Sequence, residues 1–377
     1  MASEPPPPEA VGDYRILYKL SSGGTSSVFV AAQPAQGDGV VAVKLLDKID
    51  RDERGLLTFQ AEARVTTSLT HENVVRTLEF GDHEGVPFLV MELILGGSLA
   101  ELIAAQKRHE RQLDPWLASF IVEQAARGLH HAHELRDGSG KPIDLVHRDI
   151  SPQNILMSFE GRVALSDFGI AKFSDRGMTT ARGLLKGRFA YMSPEHARGD
   201  KLDRRSDLFS LGIVLFEALT LERVFDAKSA GDSILQLLHM KRVDPGAIRP
   251  DVPKQLSELV AKACASDPTQ RFSSALEMAE ALRTLREAAG AETHAGDVGE
   301  LIAKHFQQRH AHLQSTLAEF GREQKSSHPA PASAQRLVAA RTRSEQPAPS
   351  QFSLGLFMLG LCTALVVIGC VVFFVSR

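Results

Sequence analysis

HRDISPQN, His147 to Asn154, sets a carboxylate, Asp149, just ahead of an amide, Asn154. SDFG adds a second carboxylate, Asp167. Upstream, VAVK carries Lys44, Glu62 follows it, and LSSGGTSSVF forms a small-residue turn between apolar runs. Carboxylates, an amide and a lysine of this kind suit phosphoryl transfer. That reaction asks little covalent work of a protein. The triphosphate must be cradled, the metals held, and the acceptor hydroxyl aimed in line.

Each part alone has a dull explanation. A strand lysine is usually a solvated edge, and a DFG triplet occurs by chance. All of them together, in order, argue against coincidence. In that order the chain resembles the protein kinase family, and more closely the bacterial eukaryotic-like (Hanks-type) Ser/Thr kinases, from about Tyr14 to Arg286. The resemblance implies an α+β, two-lobed protein-kinase fold, with a small β-rich N-lobe and a larger α-helical C-lobe. It implies ATP and Mg2+, or Mn2+ in its place, and protein substrates. By position, Lys44 would hold the α- and β-phosphates and Glu62 would orient Lys44. Asp149 would take or position the hydroxyl proton. Asn154 and Asp167 would bind the metal, which prefers oxygen ligands. Leu20, Val28, Ala42 and Leu156 would sandwich the adenine, Glu92 would offer a hinge carbonyl, and Met91 would be the gatekeeper. Ser21, Gly23 and Ser26 would cover the phosphates. Glu195 would pair with Arg271, and Asp207 would hold the catalytic loop from a buried helix.

The chain departs from the family at several of these places. Ser21 and Ser26 replace glycines, which stiffens the phosphate-covering loop, although serine hydroxyls also bond phosphate oxygens. Ser151 stands where the family has a lysine facing the transferring phosphate, and Gln153 does not replace it. Arg188 stands where the family's threonine meets that lysine. Both partners of one contact have changed, so Arg188, or Lys186 in its place, is a candidate for the missing cation. A solvated loop arginine is the plainer alternative. By the same resemblance Arg148 would bind a phosphorylated activation loop, with Thr179 and Thr180, then Ser174, as candidate acceptors; the plainer alternative is loop residues with good turn chemistry. This predicts autophosphorylation.

The elements that must position these residues follow from pattern. YRILYKL, VFVAAQ, VVAVKLL, VVRTLEF and PFLVMEL read as strands separated by turn residues, and FQAEARVTTSL as a helix. After GGS the spacing turns helical. PWLASFIVEQAARGLHHAHEL has Asp114 as N-cap and Pro115 in its first turn. DLFSLGIVLFEALT, QLSELVAKACA and SSALEMAEALRTLREAA are further helices. The expected divisions are a disordered arm over 1–12 and a kinase domain over 13–288, with its N-lobe at 13–93 and C-lobe at 94–288. An amphipathic helical segment follows at 289–322, then a flexible basic linker at 323–352 and a transmembrane helix at 353–375. The amphipathic segment carries Val298, Leu301, Ile302, Phe306, Leu313, Leu317 and Phe320 on one stripe, interrupted by Arg309 and His310. It is either a partner or dimer helix or a last helix packed on the C-lobe. Its histidines, His294, His305, His310 and His312, lack the companions of a metal site.

Composition sets outer limits. The chain has 377 residues, 43% hydrophobic and 24% charged, with a formal net charge of −3. That is ordinary globular composition and makes no case for a nucleic-acid partner. The uncharged run Leu354 to Val375 is long enough to span roughly 30 Å of hydrocarbon. Basic residues before it predict a single-pass tail anchor in the bacterial inner membrane with the kinase domain in the cytoplasm. Gly360 and Ala364 offer a small-xxx-small pair for a homodimer acting in trans. The expectation is thus a membrane-tethered Ser/Thr protein kinase. Its rivals are a pseudokinase scaffold, favoured by Ser151, and a small-molecule kinase of similar fold.

Overall fold

The computed structural model describes residues 7–22, 26–33, 39–46, 59–60, 63–168, 188–225, 235–237 and 243–327. Contacts divide the chain into units 1–321 and 322–377. The first is treated below. Of the second, residues 322–327 are described, as the end of the last helix.

An antiparallel sheet builds the N-lobe. Its strands are β1 (Ala10–Val11), β2 (Tyr14–Ser22), β3 (Ser27–Ala32), β4 (Val40–Leu45), β5 (Thr77–His83) and β6 (Val86–Glu92), in the order β1-β2-β3-β4-β6-β5. Side chains alternate across a strand, so β4 sorts its residues by parity. Val41 and Val43 join Val11, Tyr14, Ala31, Phe88 and Val90 in the core on one face. Ala42 points the other way, against Val75, Met91 and Ala164. Lys44 shares the face of Ala42, which is how an apolar strand delivers a cation to the cleft. Ala10–Val11, expected within a disordered arm, pairs with β2, because Val11 is fully buried in that core.

A short segment from Leu93 to Leu95 leads into the C-lobe. There β7 (Gly96–Ser98), β8 (Ile155–Ser158) and β9 (Val163–Leu165) form a small sheet. Helices α1 (Leu99–Arg108), α2 (Pro115–His133), α3 (Pro194–Arg198), α4 (Arg204–Thr220), α5 (Lys254–Ala263) and α6 (Ala275–Ala288) follow. α1 begins with a capping box in which Ser98 and Glu101 satisfy each other's backbone amides. α2 begins where its sequence signals it, with the Asp114 side chain accepting from the Trp116 and Leu117 amides. α4 is rich in apolar residues beyond its first turn, and Leu208, Phe209, Leu211, Val214 and Leu215 are almost wholly buried. A helix of that composition is stable only inside a core, which is where it runs. Burying each such side chain contributes about 1.5–3 kcal/mol.

The last helix, α7 (Ala295–Ser327), is kinked at Phe306. It is neither a free partner helix nor a simple C-lobe layer. Val298 and Ile302 enter the C-lobe core. Beyond the kink, His312 meets Tyr18 of β2, and Arg15 lies over the Phe320 ring.

The expectation of a membrane-spanning helix is corrected. No helix among the described residues is long and apolar enough to cross a membrane, and residues 353–375 lie outside those residues. α7 has the length, at 33 residues, but carries Asp297, Lys304, Arg309 and Glu319, which hydrocarbon does not accommodate. The single-pass tether, the membrane as partner and the inner-membrane location all rested on that run and are withdrawn.

Candidate active site

The two lobes enclose a cavity of about 520 Å³. At its inner end Lys44 Nζ lies 2.5 Å from Asp167 Oδ1. Asp149, Ser151, Gln153 and Asn154 line the same cavity. Asn154 is pinned, since its Nδ2 donates to the Asp149 carbonyl at 2.7 Å and its own carbonyl accepts from Ser166 N at 2.9 Å. That assigns the amide nitrogen and leaves the amide oxygen for a hard cation. Asp167 has φ +60° and Arg148 φ +63°, conformations that non-glycine residues rarely adopt. Such backbone persists only where its surroundings hold it.

The surroundings of Arg148 can be named. Asp207, on α4, is 1% exposed and accepts from the amides of His147 at 2.8 Å and Arg148 at 2.9 Å. His133 Nε2 donates to its Oδ2 at 2.8 Å. Burial pushes the Asp207 carboxyl up, but the His133 hydrogen bond and the neighbouring histidines outweigh it, and its pKa is lowered. A buried carboxylate thus bonds two consecutive loop amides and fixes the turn that presents Asp149. His147 itself is fully buried, with Nε2 3.1 Å from the Ser166 carbonyl and its ring 4.4 Å from that of Phe168.

The outer end of the cavity is apolar. Leu20, Val28, Leu93, Ile94 and Leu156 line it, and Ala42 and Met91 pack behind them. Ser21 and Ser26 sit at its rim. Glu92 is expected to offer its backbone carbonyl at the hinge, and its carboxylate turns to Arg162, with oxygens 2.7 and 2.8 Å from the guanidinium. Arg162 also donates to the carbonyls of Glu72 and Val74, so Glu92 ties the segment between lobes to the C-lobe. Burial raises the Glu92 carboxyl and the Arg162 hydrogen bond overcomes it, leaving the group below its ordinary pKa.

Below the cavity, Glu195 and Arg271 form the expected pair, at 2.7 and 2.8 Å through both carboxylate oxygens. Ser151 is buried at 8% exposure. Gly23, Glu62, Ser174, Thr179, Thr180 and Lys186 lie outside the described residues, and Arg188 is described in its backbone alone.

Sequence reasoning missed His133, Glu101 and Arg309. The last two meet at the cavity mouth, where Arg309 Nη2 is 2.6 Å from Glu101 Oε1. The sequence signal was Arg309, read only as a break in the apolar stripe of α7, and Glu101 on α1 carried none.

The residues fit a nucleotide and one hard divalent cation. Among the described residues no cluster of three or more His, Cys, Asp or Glu forms a metal cage. Asn154 and Asp167 offer an amide oxygen and a carboxylate, and magnesium commonly takes its other ligands from phosphate and water.

The protein kinase domain family matches residues 14–284. The tyrosine-protein kinase MasK of Myxococcus xanthus is 36% identical over 301 residues, covering 78% of this chain and 46% of MasK. The serine/threonine-protein kinase PrkC of Bacillus subtilis is 35% identical, covering 74% of this chain and 41% of PrkC. PknL of Mycobacterium tuberculosis, a serine/threonine-protein kinase, is 36% identical, covering 73% of this chain and 66% of PknL. The chain thus spans less than half the length of the first two. Among solved structures, the PknI kinase domain of M. tuberculosis superimposes with a TM-score of 0.58 at 24% identity, covering 74% of this chain and 97% of that domain. At that identity the likeness speaks to fold alone.

Proposed function

The chain belongs to the protein kinase domain family, as a Hanks-type bacterial Ser/Thr kinase domain, and on that premise we propose that it transfers the γ-phosphoryl group of ATP to serine and threonine hydroxyls of proteins. The observation that carries this reading is the convergence of Lys44, Asp149, Asn154 and Asp167 on one cavity. When Mg–ATP is bound, it supplies the phosphoryl group and a cation that neutralises its charge.

The chain's own residues do the positioning. Leu20, Val28, Ala42 and Leu156 hold the base between apolar faces. Ser21, Gly23 and Ser26 cover the phosphates, Lys44 holds them, and Glu62 orients Lys44. Asn154 and Asp167 hold the cation. Asp149 orients the acceptor hydroxyl and receives its proton. Arg188 supplies the cation that Ser151 does not. Phosphorylation of the chain's own Thr179 or Thr180 belongs to the same reading.

The test incubates the full chain with labelled ATP, Mg2+ and a generic protein acceptor, with Asp149→Asn as control. Label on serine or threonine, lost in the control, is the expected result. Label on tyrosine would assign the acceptor that MasK's name gives that relative. Nucleotide binding without transfer would favour the pseudokinase scaffold. The specific observation behind that second reading is Ser151, an uncharged wall where the family has a lysine.

A further inference from the structure

α7 lies beyond the part of the chain that matches the kinase family, yet it reaches the nucleotide cavity. Val298 and Ile302 root its first turns in the C-lobe core. At the kink, the Phe306 ring occupies the space a side chain at residue 97 would need; a Cβ on Gly97 would lie 2.7 Å from it. One turn on, Arg309 donates to the Gly96 carbonyl at 3.0 Å and pairs with Glu101. Leu313 is 2% exposed and lines the cavity with Arg309 and His310. Farther along, Phe320 is 7% exposed and lies under Arg15 of β2. One helix therefore touches both lobes and forms one side of the space between them.

We infer that α7 is the outer wall of the nucleotide site and that nucleotide binding and docking of α7 reinforce each other. The inference rests on the proposed reading of this cavity as an ATP site. Occlusion is the natural rival, and cavity volume separates the two. With α7 docked the space is still about 520 Å³, within the roughly 300–1,000 Å³ usual for ligand sites. It still runs from Leu93 to Lys44 and Asp167. A docked helix and a bound nucleotide therefore fit together. Leu313 adds apolar surface to the cavity that Leu20 also lines, and Arg309 is held by Glu101, which keeps its turn in place. A ligand that prefers the docked state stabilises that state, and docking raises affinity by the same factor. Docking to β2 also limits how far the lobes part.

The test uses the full chain and a fluorescent ATP analogue with Mg2+. Leu313→Asp removes a cavity contact. Phe320→Ser undocks the far end without touching the cavity, and Gln308→Glu, on the exposed side of α7, serves as control. Affinity should weaken about tenfold in the first two variants, equivalent to about 1.4 kcal/mol, and stay unchanged in the control. KM for ATP should rise while kcat holds. In the wild-type chain, nucleotide should slow hydrogen exchange over residues 306–320, a reading that needs no variant to fold. Equal affinity in all chains, or exchange indifferent to nucleotide, would sink the inference and leave the kinase reading standing. Tighter binding in Phe320→Ser would replace the wall with an occluding strap. No binding by the wild-type chain would overturn both readings.

Discussion

Glu195 and Arg271 meet in a two-point ion pair inside the C-lobe, where the side chains are 7% and 0% exposed. Ser206 adds a hydrogen bond to Glu195 at 2.7 Å, and Arg271 also donates to the carbonyls of Ala265 and Arg205. The pair joins the start of α3 to the loop after α5. Removing one partner leaves a buried charge uncompensated, which costs about 3–5 kcal/mol. Arg271→Ala should lower the unfolding free energy by that amount in urea titration. A loss below about 1 kcal/mol, the value of a surface pair, would contradict the burial argument.

The same pair sets an acid limit. Burial raises the Glu195 carboxyl, but hydrogen bonds from Arg271 and Ser206 outweigh it and hold the pKa at about 2. In an unfolded chain a glutamate titrates near ~4.3. A lowered folded pKa contributes stability that is complete above the unfolded value and lost as pH falls through the folded one. Melting temperature should therefore fall more steeply between about pH 4.3 and about pH 2 in the wild-type chain than in Glu195→Gln. Parallel slopes would show that this carboxylate does not drive the acid transition.

Asp207 acts through the loop it holds. Asp207→Asn places an amide nitrogen against backbone donors or His133 and loosens the turn at His147 and Arg148. Misplacing a reacting group by about 1 Å can cost roughly a hundredfold, so kcat should fall on that scale with KM for ATP little changed. An unchanged kcat would mean that the His147–Asp149 turn holds itself.

In the proposed mechanism Arg188 supplies the cation missing at Ser151. Losing a donor to developing charge typically costs about 10²–10³ in kcat. Arg188→Ala should show that loss, and Arg188→Lys should recover part of it. If alanine leaves kcat untouched, the substitution at Ser151 is not compensated from this position.

Gly128 tests packing against propensity. Alanine in a helix interior is favoured over glycine by about 0.8–1 kcal/mol. A Cβ at Gly128 would lie 2.1 Å from the Asn73 carbonyl oxygen, which is backbone and cannot swing aside. Asn73 also joins the lobes, accepting from Leu165 N at 2.9 Å and donating through Nδ2 to Val163 O at 2.8 Å. Overpacking of this kind costs about 1–3 kcal/mol, so Gly128→Ala should destabilise the chain despite its better propensity. Stabilisation in thermal melts would show that α2 moves freely against Asn73.

Short-range chemistry was legible in the residues themselves. Strand parity puts Lys44 on the cleft face, Asp114 and Pro115 start α2, and the apolar-rich run of α4 has to be central. These depend on neighbours within a turn or a pleat, so pattern suffices. The membrane span failed as an expectation because hydropathy says only what a run would tolerate. Tertiary structure alone decided what α7 does. Arg309 and His310 looked like breaks in an apolar stripe, but the kink at Phe306 turns that face toward the cavity. The Arg309–Glu101 pair spans 208 residues and the Asp207–His133 contact 74. No local period encodes such meetings. They exist because the folded lobes bring the two surfaces together, and the energy of burial is shared across both.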